Sequence, residues 1–144
     1  RKKVMTLAAE FWKAHHEWFL FLDKNGNVVG WFMGEAESVI GFYMRNTGIL
    51  PKHQNKGIYS EFLKVFVKYL KELGYERILS QHKVTNKKIL LSKIKAGFII
   101  CNLELTEMWG PMVKLVKIIH KDRRDYFIEH FGDYLHKGFY AERD

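Results

Sequence analysis

The chain of 144 residues has one cysteine, Cys101, and only two prolines. A single thiol cannot build a disulfide framework or a cysteine-based zinc site. With no Pro-, Gly- or Ser-rich stretch there is no linker, so residues 1–144 read as one domain. No apolar run is long enough for a membrane-spanning helix, and no signal peptide is expected. A soluble, cytoplasmic protein without membrane contact is the expectation. Internal repeats, a nucleophile-elbow sequence, zinc-finger spacing and an RNP-type sequence are all missing. Adjacent His15 and His16 read onto a helix without the i,i+4 partner a metal site prefers, so no metal is expected.

What is present is apolar and basic. Hydrophobic residues make up 47% and aromatics 15%, enough for a packed core. The net charge is +8, from 24 Lys+Arg against 16 Asp+Glu, which suits an anionic partner. Nucleic acid and an anionic cofactor are the two classes. The lysines are scattered rather than gathered into one stripe, which argues against nucleic acid as the main partner.

Residues 4–16 have helical spacing through Val4, Leu7, Ala8, Phe11, Trp12 and His15. Trp18 to Leu22 reads as a buried strand, Asp23-Lys24-Asn25-Gly26 as a hairpin turn, and Val28 to Gly34 as the returning strand. A third strand is expected from about Val39 to Ile49, where Gly48 signals a bulge or a close backbone approach. Ile58, Phe62, Leu63, Phe66, Val67, Leu70 and Leu73 define a helix stopped at Gly74. Glu76 to His82 reads as a strand parallel to the previous one. Thr85 or Asn86 would cap a second helix with Ile89, Leu90 and Ile94 turned inward. Over 98–106, Ile99, Cys101, Leu103 and Leu105 alternate with Asn102, Glu104 and Thr106. A turn at Trp109-Gly110-Pro111 leads to a strand from Met112 to Ile119, and a helix follows from Lys121. The tail aromatics Phe127, Phe131, Tyr134, Phe139 and Tyr140 are expected on the sheet or on a second subunit, giving a homodimer. Trp12, Trp18, Trp31 and Trp109 read as core or pocket walls.

The most informative stretch is 47–59: a strand end, a short polar loop with Gly57, then a helix N-terminus. The first N–H groups of a helix have no internal partner and sit at the positive end of its dipole, so this order makes a phosphate site. Gly57 lets backbone approach a ligand, and Lys56 adds charge. The loop lacks the glycines of a Rossmann fingerprint and the Gly-Lys-Ser/Thr of a P-loop.

Gln54-Asn55-Lys56-Gly57-Ile58-Tyr59, followed by Asn86 and then Gly97-Phe98, resembles the GNAT superfamily of acyl-CoA-dependent N-acyltransferases. Its loop reads Gln/Arg-x-x-Gly-x-Gly/Ala; the likeness covers about 18–119 of the chain, with the strong motifs within 44–98. The resemblance implies an α/β fold with a mixed, mostly antiparallel central sheet, splayed between the family's fourth and fifth strands and flanked by helices. It implies acetyl-CoA as co-substrate and an amine-bearing acceptor. The pantetheine arm would pair with Thr47, Gly48 and Ile49, the pyrophosphate would meet Gln54, Asn55, Lys56, Gly57, Ile58, Tyr59 and Ser60, and Asn86 would hydrogen-bond the pantetheine. Tyr59 replaces a small residue, tolerable if its ring points outward toward the nucleotide. The family opens with a strand and helix pair; since this chain starts at Arg1, residues are expected to be missing there.

The proton-transfer residues of relatives do not carry over. The tyrosine seven residues after the asparagine is Lys93 here. The glutamate that ribosomal-protein N-terminal acetyltransferases carry five residues before it is Gln81. Substitutes are His82, a base by type or simply structural; Glu35, with Glu37, after a strand or in a solvated turn; Lys93, a donor to the thiolate or an exposed helical lysine; and Tyr43. Transfer of an acetyl group to a primary amine by direct attack is the leading reading. A non-catalytic acyl-CoA-binding module and a basic nucleic-acid-binding domain are the alternatives.

Overall fold

The computed structural model of the chain describes residues 13–132. The expected helix over 4–16 lies mostly outside them, as do Tyr134, Phe139 and Tyr140. Where that segment is described it is not helical: residues 13–15 turn, and His16 opens the first strand. His15 and His16 are therefore not helix residues, and His15 bonds the Tyr75 hydroxyl and the Glu17 carboxylate, each at 2.7 Å.

Strands β1 (His16–Leu22) and β2 (Val28–Ala36) form a hairpin. Its turn is tied by the Asp23 carboxylate, which accepts from the N–H groups of Asn25 at 2.8 Å and Asn27 at 2.9 Å. Strand β1 is at the sheet edge and buried on one face only. Phe19 and Phe21 pack inward, while Trp18, Leu20 and Leu22 are exposed. An unbroken apolar run hides that alternation, which is why the sequence reads as a fully buried strand.

Strand β3 (Gly41–Ile49) starts later than expected, because Val39 sits in an exposed bend. Helix α1 (Ile58–Glu72) buries Leu63, Phe66, Val67 and Leu70 against Phe32, Phe42 and Met44. The elements β4 (Arg77–Lys83), α2 (Lys87–Lys95), β5 (Ile99–Thr106), β6 (Gly110–Ile118) and α3 (Lys121–Phe131) follow. The six strands make one sheet in the order β1-β2-β3-β4-β6-β5, antiparallel throughout except for the parallel pair β3–β4.

Two irregularities position the site. Pairing of β3 with β4 runs from Gly41↔Arg77 to Met44↔Ser80 and stops, although both strands continue. Beyond that point the sheet splays. At the same place β3 carries an extra residue: Met33 pairs with Asn46 and Gly34 with Met44, leaving Arg45 as a β-bulge.

The bulge is thus at Arg45, and of the two readings of Gly48 a close approach holds, made by a side chain rather than by backbone. Gly48 lies beneath the indole of Trp31, its partner on β2; a Cβ there would fall 2.2 Å from Trp31 Cζ2. Trp31 Nε1 donates to Asn46 Oδ1 at 2.8 Å, which holds the ring in place. Gly48→Ala is expected to expel the indole and cost about 1–3 kcal/mol, the usual range for overpacking. A lower melting midpoint with a red-shifted tryptophan emission would register it.

The alternation expected over 98–106 is broken as well. The β5–β6 register shifts between Ile100 and Asn102, and Leu103 and Leu105 remain exposed on an edge strand. The turn before β6 is 107–109, with Pro111 already inside the strand opposite Leu105.

Candidate functional site

The gap between β3 and β4 opens into a cavity of about 460 Å³. Its walls come from the free part of β3, the loop 53–57, the first turn of α1, the end of β4 and one face of α2. Every residue assigned from sequence to the donor lines it except Gly48, which Trp31 covers.

On the loop side the chemistry suits an anion. Gly57 caps α1 in the left-handed region at φ 78, and no side chain caps that N-terminus. The N–H groups of Ile58, Tyr59 and Ser60 are therefore among the helix's orphan donors. A Cβ at Gly57 would meet no atom within 4 Å, so the approach is open. Asn55 is also left-handed, at φ 60, and its side-chain oxygen accepts from Lys88 Nζ. Gln54 turns back to donate to the Ile49 carbonyl at 2.9 Å, closing the loop. Together with Lys56 and Lys88 these groups fit a polyanionic ligand such as a pyrophosphate.

Asn86 is the N-cap of α2: its side-chain oxygen accepts from the Ile89 N–H at 3.4 Å. It remains on the cavity wall, so its amide nitrogen can still meet a ligand. Asn86→Ala is expected to cost about 1 kcal/mol through the lost cap alone. A urea melt without ligand would isolate that part from any effect on binding.

The Tyr59 ring points inward, contrary to the outward pose that the loop would need for a nucleotide contact. It packs toward Phe62, and burial raises its hydroxyl pKa. Position 59 lies within the first turn of α1, so the ring turns beneath the helix rather than over the loop.

Lys93 is fully buried, not an exposed helical lysine. Its ammonium nitrogen is 2.9 Å from Met44 Sδ and 4.2 Å from the centre of the Phe98 ring. Burial and the nearby charge of Lys117 push its pKa down to about 7. His82 also lines the cavity, and its buried Nε2 has no hydrogen-bond partner among the described residues. Burial, assisted by Lys93, pushes that imidazole down to about 4, so it is neutral near pH 7 and a weak base. An unpartnered ring nitrogen in a cavity wall is a place for a polar group of a ligand.

The other face of the sheet carries the remaining candidates. Glu35 lies inside β2, not after it, and is buried. Its carboxylate accepts from Arg45 Nε at 2.8 and 3.0 Å and also from Nη2, a bidentate pair that occupies both oxygens. Glu37 lies in the bend after β2, within 3.7 Å of Arg77 and 3.9 Å of Lys114. Tyr43 stands under the Arg45 guanidinium, and burial raises its hydroxyl pKa. Neither Glu35 nor Tyr43 lines the cavity.

Sequence reasoning missed Glu104. Gln81, on the cavity wall, donates through Nε2 to Glu104 Oε2 at 2.8 Å. The same carboxylate acts on Tyr43, helping to raise its pKa. Among the described residues Glu104 has no ion-pair partner. A carboxylate thus stands one hydrogen bond behind the glutamine in the gap, brought there from β5 across β6.

A model of the acetyltransferase (GNAT) family matches residues 2–89. No curated protein matches the chain. Among solved structures the fold is similar to that of nourseothricin acetyltransferase, at TM-score 0.64 and 13% identity over 72% of this chain. The chain spans 65% of that protein's length, just under two thirds. A GNAT family acetyltransferase from Elizabethkingia anophelis with acetyl-CoA bound gives TM-score 0.68 and 16% identity, covering 79% of this chain and 82% of that one. An IAA acetyltransferase from Bacillus cereus gives 0.66 and 16%, covering 79% and 83%.

Proposed function

The chain belongs to the acetyltransferase (GNAT) family, and from that premise we propose that it moves an acetyl group from acetyl-CoA to a primary amine by direct attack. One observation carries the reading: the gap between β3 and β4 has anion-binding groups on its helix side, and Gln81 on its wall holds the Glu104 carboxylate behind it. A donor entering from the α1 side would lay its pyrophosphate on the N–H groups of 58–60 and its pantetheine along the unpaired edge of β3. Near the Arg45 bulge, backbone N–H groups released from the sheet are suited to polarising the thioester carbonyl.

The acceptor comes from the opposite face. Glu104 attracts its ammonium group and takes the proton, directly or through one water, while Gln81 fixes the carboxylate. Lys93, close to the bulge through Met44, donates a proton to the leaving thiolate. Glu35 holds Arg45 and is not asked to move a proton.

A thermal-shift titration with acetyl-CoA, free coenzyme A and ATP tests the donor site. Saturable stabilisation by the first two and not by ATP is expected, from linkage of binding to folding. Gly57→Val is expected to remove it, because a branched side chain projects into the open approach and disfavours φ 78. Thiol release that depends on an added primary amine tests transfer. Stabilisation without such release from any amine would leave an acyl-CoA-binding module.

A further inference from the structure

We propose that Lys93 is itself an acyl acceptor: its enclosed Nζ takes the acetyl group from acetyl-CoA when no other amine occupies the gap. The inference rests on the donor-site reading above. The position of the amine carries it. Lys93 has no exposed surface, yet it forms part of the cavity wall in which the donor is proposed to lie. The groups facing it are Met44 of β3, Tyr59 of α1, His82 of β4, Lys117 of β6 and Phe98. Among the described residues none of these is a carboxylate that would hold it as an ammonium ion.

Only an unprotonated amine attacks a thioester. An exposed lysine near pKa 10.4 is neutral in roughly one molecule in a few thousand at about pH 7. Lys93, pushed down to about 7 by burial and by Lys117, is neutral in a large fraction. The nitrogen lone pair adds to the carbonyl carbon, the new C–N bond forms and the C–S bond breaks. The proton lost by nitrogen passes to the thiolate, giving free coenzyme A and an acetyl-lysine amide. No further reactant is needed. The amide cannot titrate and adds bulk inside the cavity, so a chain that acetylates itself without an acceptor silences its own proton donor.

The test is to incubate the full chain with acetyl-CoA and no added amine, then locate acetyl groups by peptide mass mapping. The expected result is saturable labelling of Lys93, at least about tenfold faster than exposed lysines near pH 7. That advantage should narrow as pH rises toward about 10, where all lysines lose their protons. Lys93→Arg and Lys93→Met should remove the fast site; Met is included because an arginine there has to bury a permanent charge. Stabilisation by coenzyme A, with Lys93 unlabelled or labelled no faster than the surface, overturns this inference and leaves the donor reading standing. Absence of any stabilisation by coenzyme A overturns both.

Discussion

Lys93→Met is expected to make the protein more stable near neutral pH, not less. The unfolded chain binds a proton at this lysine up to its ordinary pKa of 10.5, the folded chain only up to about 7. Between those values the unfolded chain holds more protons, so native stability rises with pH across that window. Below about 7 both states are protonated and the buried charge exerts its full cost. At about 1.4 kcal/mol per pKa unit, that cost is several kcal/mol. Methionine matches the stem in length and shape and places no charge between Phe98 and Met44. The melting midpoint at about pH 6 should rise by roughly 5–10 °C, and the wild-type climb in stability from about pH 7 to 10 should flatten. His82 contributes in a lower window. Its pKa, depressed from 6.5 to about 4, makes stability fall as pH drops from 6.5 toward 4. Because Lys93 helps depress it, the variant should soften that acid limb too. Parallel pH–stability curves for the two proteins would sink the account. A buried amine this costly fits a group with chemical work in the cavity.

The loop and α1 were legible in the sequence because local chemistry writes them: a period of 3.6 residues, a glycine able to take φ 78, and helix N–H groups that need an acceptor. The same period pointed to Lys93, which follows Ile89 by four residues and Leu90 by three and so shares their face. Its charge argued for the outside, and only the packed structure overrules that. The bulge at Arg45 has no marker in composition, since it arises from the register of β3 against β2. Glu35 looked like a turn residue because the strand's end could not be fixed without its partner. Glu104 was out of reach for a topological reason. It meets Gln81 only because β6 inserts between β4 and β5, and nothing in the local pattern of either strand announces that order.

Glu104→Gln should cut amine-dependent thiol release by about 10²–10³ in kcat/KM near pH 7, the scale of a lost general base. Any primary amine that supports turnover in the wild type serves as probe. An alkylammonium acceptor, with a pKa near that of lysine, is almost wholly protonated there and needs its proton removed before it can attack. The glutamine keeps the shape but neither attracts the ammonium group nor accepts the proton. At about pH 9.5 more of the amine is already neutral, so the deficit should shrink to about tenfold. The coenzyme A thermal shift should not change, because Glu104 is not among the residues that line the cavity with the anion-binding loop. Gln81→Leu should give a smaller loss: the carboxylate stays but is no longer held at 2.8 Å. That gradation separates a carboxylate that handles the proton from one that merely braces β5 against the sheet. A structural brace would lower the melting midpoint and reduce kcat/KM equally at every pH. A pH-independent loss, or a Glu104→Gln variant within about twofold of wild type, would remove Glu104 from the reaction.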